Sequence, residues 1–380
     1  MLRSLPGKGV PRAVRQGHPQ GAAGADVPSG RGEVKQFILF LILQVAPIAP
    51  ANGQQSAQGA CDSAHSLALR GSGRDAFDKH QYEVAARRFS EALDACPRQR
   101  DILIELSEAQ ANLRQFDLAI RSVREFLEGD PASVPGRVAL ADVYLMAQRL
   151  ADAKREAEGI LNTEPGQPAA LKIEGNAEYL LGNVDAAEDT FIELLERHPD
   201  DEEGAYMLGR IYYQEGRIDY AIGQFERVLK LNPRSYKAYD NLGLCYEARG
   251  ENQKAVRHFL ASIKLVEKDH PDYDWPFANL ADLFLKEGDS EKAFALASKA
   301  ADRNPYSARN FYLGGKALYE LGKTDLCLNW LERSSALDPN YPEPLYLLGQ
   351  VYRKLGQDGK AKKAQERFRE AKAKQRDRLK

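Results

Sequence analysis

Six histidines and four cysteines are the residues with which this chain would bind a metal or carry out redox chemistry. His18, His65, His80, His198, His258 and His270 are scattered, and none stands at ligand spacing from a cysteine or carboxylate partner. No glycine-rich phosphate loop and no strand-turn-helix nucleophile signature occurs. Carboxylates are abundant, but they fall on positions expected to face solvent along helices. The residue types therefore point away from an enzyme, a metal site or a small-molecule cofactor. Recognition of another molecule is the chemistry that remains, so the elements that would position recognition residues come next.

The composition is that of a folded chain: 380 residues, 43% hydrophobic, 28% charged. A formal net charge of −2 lacks the basic excess expected of a nucleic-acid binder. Residues 1–33 carry Gly, Pro, Arg and Ala with few large apolar side chains, and are expected to be disordered or a mis-assigned extension. The apolar run Phe37–Leu43 covers only about 15 Å as a helix. That is too short for a hydrocarbon core of ~30 Å. With Lys35 before it and Ala49-Pro50-Ala51 after it, residues 34–51 read as an export signal, with translation starting at Val34. A buried or interfacial helix, or an uncleaved signal that anchors the chain, is the alternative. Residues 52–61 read as a linker, and no transmembrane span is expected in the mature chain.

Beyond the linker the prolines keep time. Pro97, Pro131, Pro165, Pro199 and Pro233 follow one another at a constant spacing of 34. Pro271 comes four residues late, and Pro305 and Pro339 resume the period. With each proline as position 32 of the unit, position 8 reads Gly73, Ser107, Ala141, Gly175, Gly209, Gly243, Ala281, Gly315 and Gly349. Position 20 reads Ala85, Ala119, Ala153, Ala187, Ala221, Ala255, Ala293, Cys327 and Ala361. Only small residues occur at both, as where two helices approach closely. Position 24 is mostly large: Phe89, Val123, Ala157, Phe191, Phe225, Phe259, Ala297 and Trp330. Gly182, Gly216, Gly250, Gly288, Gly322 and Gly356 stand where a first helix must end in a left-handed cap.

This pattern, with Tyr144, Tyr212, Tyr246 and Tyr352 at position 11, resembles the tetratricopeptide repeat. The resemblance implies an all-α, right-handed superhelical solenoid of stacked antiparallel helix pairs over residues 62–375. Units are expected near 66–99, 100–133, 134–167, 168–201, 202–235, 236–273, 274–307, 308–341 and 342–375, followed by a basic tail, 376–380. The last unit turns polar, as a solvated cap requires. The four extra residues before Pro271 predict a longer second helix or a looser turn.

In that family, positions 2, 5, 9, 12 and 13 of each first helix line a concave groove. The resemblance therefore implies partner-binding roles for Lys172, Asn176, Tyr179, Tyr206, Arg210, Tyr213, Lys237 and Asp240. Trp275, Arg309, Tyr312, Lys316, Tyr319, Tyr346 and Arg353 extend the wall. Tyrosine and arginine are enriched at binding hot spots. Some relatives clamp a C-terminal carboxylate with five residues; Lys172, Asn176 and Lys237 match three of them, while Met207 and Asn241 depart. A protein or peptide partner is expected, held by an interaction scaffold or by an accessory subunit of an envelope, secretion or polysaccharide machine. Cys61 precedes the first helix and Cys96 ends the second, neighbouring ends in an antiparallel hairpin. Export to an oxidising compartment, periplasmic or extracellular, predicts that they form a disulfide. Cys245 and Cys327 read as reduced core residues.

Overall fold

The computed structural model describes residues 61–378, and the expected extension and signal lie outside them. Among the described residues, eighteen helices form nine consecutive hairpins. In chain order they are α1 (Ser63–Asp78), α2 (Tyr82–Ala95), α3 (Ile102–Asn112), α4 (Phe116–Gly129), α5 (Val134–Met146) and α6 (Leu150–Leu161). Next come α7 (Pro168–Leu181), α8 (Val184–Arg197), α9 (Glu202–Gln214), α10 (Ile218–Leu231), α11 (Tyr236–Ala248) and α12 (Asn252–Asp269). The series closes with α13 (Trp275–Glu287), α14 (Ser290–Arg303), α15 (Ala308–Glu320), α16 (Thr324–Leu337), α17 (Pro342–Lys354) and α18 (Asp358–Arg378). The four extra residues lengthen α12 to 18 residues where α10 has 14, one added helical turn. Helix α18 runs to Arg378, into the segment expected to be a tail.

Within a hairpin, the small residue at position 8 and the large one at position 24 are partners. A Cβ added to Gly73, Gly175 or Gly209 would stand 2.6, 2.8 and 2.8 Å from the ring of Phe89, Phe191 or Phe225. Gly243 meets Phe259 in the same way. Where position 8 carries Ser107, Ala141 or Ala281, position 24 shrinks to Val123, Ala157 or Ala297, all fully buried. The eighth hairpin corrects the sequence reading. Leu331, which counting back from Pro339 puts at position 24, fills that place instead of Trp330, fully buried with its side chain 2.6 Å from a Cβ at Gly315. Trp330 covers Gly314 and packs edge-on to Phe294, ring centroids 5.3 Å apart.

All six expected glycine caps have positive φ, from 69° at Gly356 to 85° at Gly182. In the first three hairpins the same left-handed position is held by His80, Arg114 and Gln148, at φ 58°, 60° and 59°. A Cβ in that conformation costs about 1–2 kcal/mol. Glycine at any of the three is expected to stabilise the array by about 0.5–1 kcal/mol, net of glycine's larger unfolded-state entropy. The urea midpoint of each single variant, compared with the unchanged chain, measures it.

Not every carboxylate lies on a solvated face, contrary to the sequence expectation. Glu178 is 5% exposed at the seam between α6 and α7. It accepts a hydrogen bond from Asn183 Nδ2 (2.6 Å) and pairs with Lys154 Nζ (2.5 Å). Desolvation opposes its ionised form, but the bonds from Lys154 and Asn183 outweigh it and hold the carboxyl below its ordinary range. A depressed acid stabilises the fold above its unfolded pKa, and that stability disappears as pH falls through the folded value. Glu178→Gln is expected to remove about 1–2 kcal/mol at pH 7. It should also reduce the loss of stability below about pH 4.5. Denaturant titrations at pH 7 and pH 3.5 read both effects.

The first hairpin is stapled. Cys61 and Cys96 form a disulfide with Cα atoms 4.3 Å apart. Beside it the Asp62 N–H donates to the Ala95 carbonyl at 3.0 Å. Cys245 and Cys327 are free and buried, and burial pushes their thiols up to about 12 and about 11. Among the described residues, no helix is long and apolar enough to cross a membrane.

Candidate binding groove

Positions 5, 9 and 12 of a first helix are related as i, i+4 and i+7, so they share one helix face. From α3 onward each first helix touches the next first helix: α3 with α5, α5 with α7, and so on to α15 with α17. No comparable contact joins successive second helices. The first helices therefore follow the shorter, inner arc, and their shared faces make one continuous wall.

The middle of that wall is a linked aromatic surface. The Tyr179 hydroxyl donates to Gln214 Oε1 of the next unit at 2.9 Å. The Arg210 guanidinium lies over the Tyr179 ring, 5.2 Å from its centroid, and 6.0 Å from that of Tyr206. Asn241 Nδ2 donates to the Tyr206 hydroxyl at 3.3 Å, and the Tyr206 ring tilts against Phe225. Desolvation raises the Tyr206 phenol, and pushes those of Tyr213 and Tyr312 up to about 12. All stay neutral hydrogen-bonding groups near pH 7. Further along, Arg309 sits 5.8 Å from the Trp275 ring, and Tyr312 stands edge-on to Tyr341. Lys316 and Tyr319 are half-buried beside them. Tyr346, 55% exposed, leans on Phe368 of α18 and marks the wall's end.

Several residues proposed from the family pattern have occupations the sequence does not disclose. Lys172 lies 3.4 Å from both Asp201 and Glu203, and Asn176 Nδ2 donates to Glu203 Oε1 at 3.1 Å. The first two clamp positions are thus already satisfied from the next unit. Asn241, at another clamp position, donates to the Lys237 carbonyl at 2.8 Å. Asp240 does not line the groove at all. It is 3% exposed, accepting from Asn279 Nδ2 (3.0 Å) and from the Tyr273 hydroxyl (3.4 Å). Desolvation pushes its carboxyl up to about 7, against the pull of those two bonds and of Arg309. Tyr273 stands two residues after Pro271, at position 34 of its unit where the eighth unit has Tyr341, and position 34 is not among the groove positions of the family pattern. Glu203 was legible: it stands at position 2 of the unit after Lys172. Lys237 is exposed, 5.9 Å from the Tyr236 ring, beside a cavity of about 360 Å³ lined by Asn232, Arg234, Tyr236 and His270.

Upstream the wall changes sign. Arg70 pairs with Asp101 (2.6 Å) and Glu105 (2.7 Å), and Arg74 also reaches Glu105. Glu108 and Asp142 face the concavity without a cation in ion-pair reach among the described residues. Desolvation, and then the charges of Glu203 and Glu108, push Asp142 up to about 6. No group of three His, Cys, Asp or Glu among the described residues is placed to hold a metal ion.

Comparison with known families finds the same repeat. A tetratricopeptide repeat profile matches residues 71–134, 138–202 and 206–270, half of the chain. Two further profiles of the same repeat match 315–356 and 342–374. The chain belongs to the tetratricopeptide repeat family. Over 254 residues, 65% of its length, this tetratricopeptide array is 26% identical to the Protein CTR9 homolog of Arabidopsis thaliana. It spans only 23% of that relative. A tetratricopeptide repeat protein from Parabacteroides merdae superposes with a TM-score of 0.52 at 20% identity, covering 66% of this chain and 98% of that one. The APC/C hetero-tetramer Cut9-Hcn1 gives a TM-score of 0.59 at 16% identity, covering 71% and 52%. At such identities these likenesses show the fold.

Proposed function

We propose that this array is a protein-interaction scaffold that holds an extended segment of a partner protein against the inner wall of α7, α9, α11, α13 and α15. The observation that carries this reading is the run of half-buried tyrosines and cations from Tyr179 to Tyr319. They offer rigid rings and hydrogen-bond donors on one continuous face. The tetratricopeptide fold is typically a non-catalytic scaffold, in keeping with this role. Binding here rests on side chains from several units, so affinity is spread along the wall, with Tyr206, Arg210 and Tyr213 at its centre. Work in an oxidising compartment, periplasmic or extracellular, is part of the proposal. The Cys61–Cys96 disulfide and the short apolar run at Phe37–Leu43 support it.

A photo-crosslinking amino acid placed at Tyr213, in cells of the source organism, tests the groove. Capture of one partner from Tyr213, with none from a probe at the exposed Tyr306 outside the wall, is expected. Equal capture from both positions, or none from Tyr213, overturns the groove as the binding site.

A further inference from the structure

The groove's charges are distributed in a way that specifies what it holds, given the scaffold reading above. Three of its cations are seated on rings: Arg210 over Tyr179 and Tyr206, Lys237 beside Tyr236, and Arg309 beside Trp275. With Lys316, these four have no carboxylate in ion-pair reach among the described residues, while Lys286 on the same wall takes both Glu247 (2.8 Å) and Asp282 (2.9 Å). Asp240 is sealed under Tyr273, and Glu343 is turned to Lys372 of α18 at 3.6 Å. The carboxylates nearest the four cations are therefore spent or buried, and the cations are not. A guanidinium laid on a ring is held in place, yet its edge still carries N–H donors. Arg210 uses two of them only weakly, toward Tyr179 Oη at 3.5 Å and Met207 Sδ at 3.7 Å.

We infer that the wall from Arg210 to Lys316 recognises an extended, acidic segment of a partner, with carboxylates about three residues apart. The spacing follows from geometry. Adjacent packed helices lie roughly 8–10 Å apart. A segment in the extended polyproline II conformation advances about 3.1 Å per residue and returns every third side chain to the same face, so one repeat matches about three residues. Arg210, Lys237 and Arg309 belong to the fifth, sixth and eighth units. Acidic side chains at i, i+3 and about i+9 reach all three. The segment's upstream limit is set by repulsion. Glu203 already saturates Lys172 and Asn176, the first two clamp positions, and beyond it Glu108 and Asp142 confront any incoming carboxylate. The recognition is thus distinct from a clamp on a terminal carboxylate. It uses internal side chains and other positions of the repeat.

The test uses the full chain and a fluorescein-labelled twelve-residue peptide, four repeats of Glu-Ser-Tyr, with a Lys-Ser-Tyr peptide as counterpart. Fluorescence anisotropy is expected to show binding of the glutamate peptide, weakening steeply with added salt, and none of the lysine peptide. The double variant Arg210→Ala/Arg309→Ala should weaken it at least tenfold. Arg210→Lys/Arg309→Lys, which keeps the charges, should retain part of the affinity, and unchanged thermal melting confirms that both variants fold. Lys362→Ala/Lys363→Ala, on the exposed face of the basic helix α18, should change nothing. Equal binding of both peptides, loss in the α18 variant, or no binding of the glutamate peptide at about 1 mM overturns the inference. If crosslinking from Tyr213 captures a partner through an uncharged or basic segment, the scaffold reading stands and this inference alone falls.

Discussion

Gly209→Ala is expected to destabilise the array by about 1–3 kcal/mol, the cost of overpacking a filled core. Helix propensity alone predicts the opposite, a gain of about 1 kcal/mol for alanine in a helix interior. Packing wins because the added Cβ would stand 2.8 Å from the Phe225 ring, and that ring is fully buried against neighbours on every side. The chain itself supplies the rescue. Ser107 faces Val123, and Ala141 faces Ala157, so a larger position 8 is tolerated where position 24 is smaller. Gly209→Ala/Phe225→Val should therefore cost less than the sum of its two single variants. Phe225→Ala alone should cost about 3–5 kcal/mol through the cavity it leaves. A double-mutant cycle by chemical denaturation measures the coupling. Additive single effects would show that the pair acts independently and that some other contact sets the size at position 8.

Opening the Cys61–Cys96 bond should have the second large effect, and a local one. Closing a loop with a sequence separation of 35 stabilises by about 4 kcal/mol through the entropy of the unfolded chain. In a solenoid each unit leans only on its neighbours, so stability is a sum of units and interfaces. The first hairpin has a neighbour on one side only within the described array, and its core is small: Ala76, Ala85, Phe89 and Ala92, meeting Ile102 and Leu106 of α3. Cys61→Ser should let α1 and α2 fray while α7 to α16 stay folded. Hydrogen exchange is the measurement. The amides of α1 and α2 should exchange faster by two to three orders of magnitude, roughly the factor that such an energy implies, and those of α9 and α10 should not change. Uniform acceleration along the whole chain would mean that the array unfolds as one unit.

Much of this protein was legible before any coordinates, because the deciding interactions are local and repeated. A 34-residue period, glycine where a first helix must turn left-handed and small residues where two helices meet are all short-range demands, set by backbone geometry and the 3.6-residue helix. They yielded nine hairpins and the extra turn in α12, while the face that forms the wall came from the resemblance to the tetratricopeptide repeat. The disulfide partners followed from the same register.

What only the tertiary structure decided is how each wall residue is used. The neutralisation of Lys172 by Asp201 and Glu203 depends on atoms about 30 positions apart meeting across a seam. The burial of Asp240 depends on Tyr273, in the turn before α13, and on Asn279 closing over it from the next unit. Period and propensity place a residue on a face. Whether its charge is free, spent or sealed is set by whatever the neighbouring repeat brings against it, and no single unit contains that information.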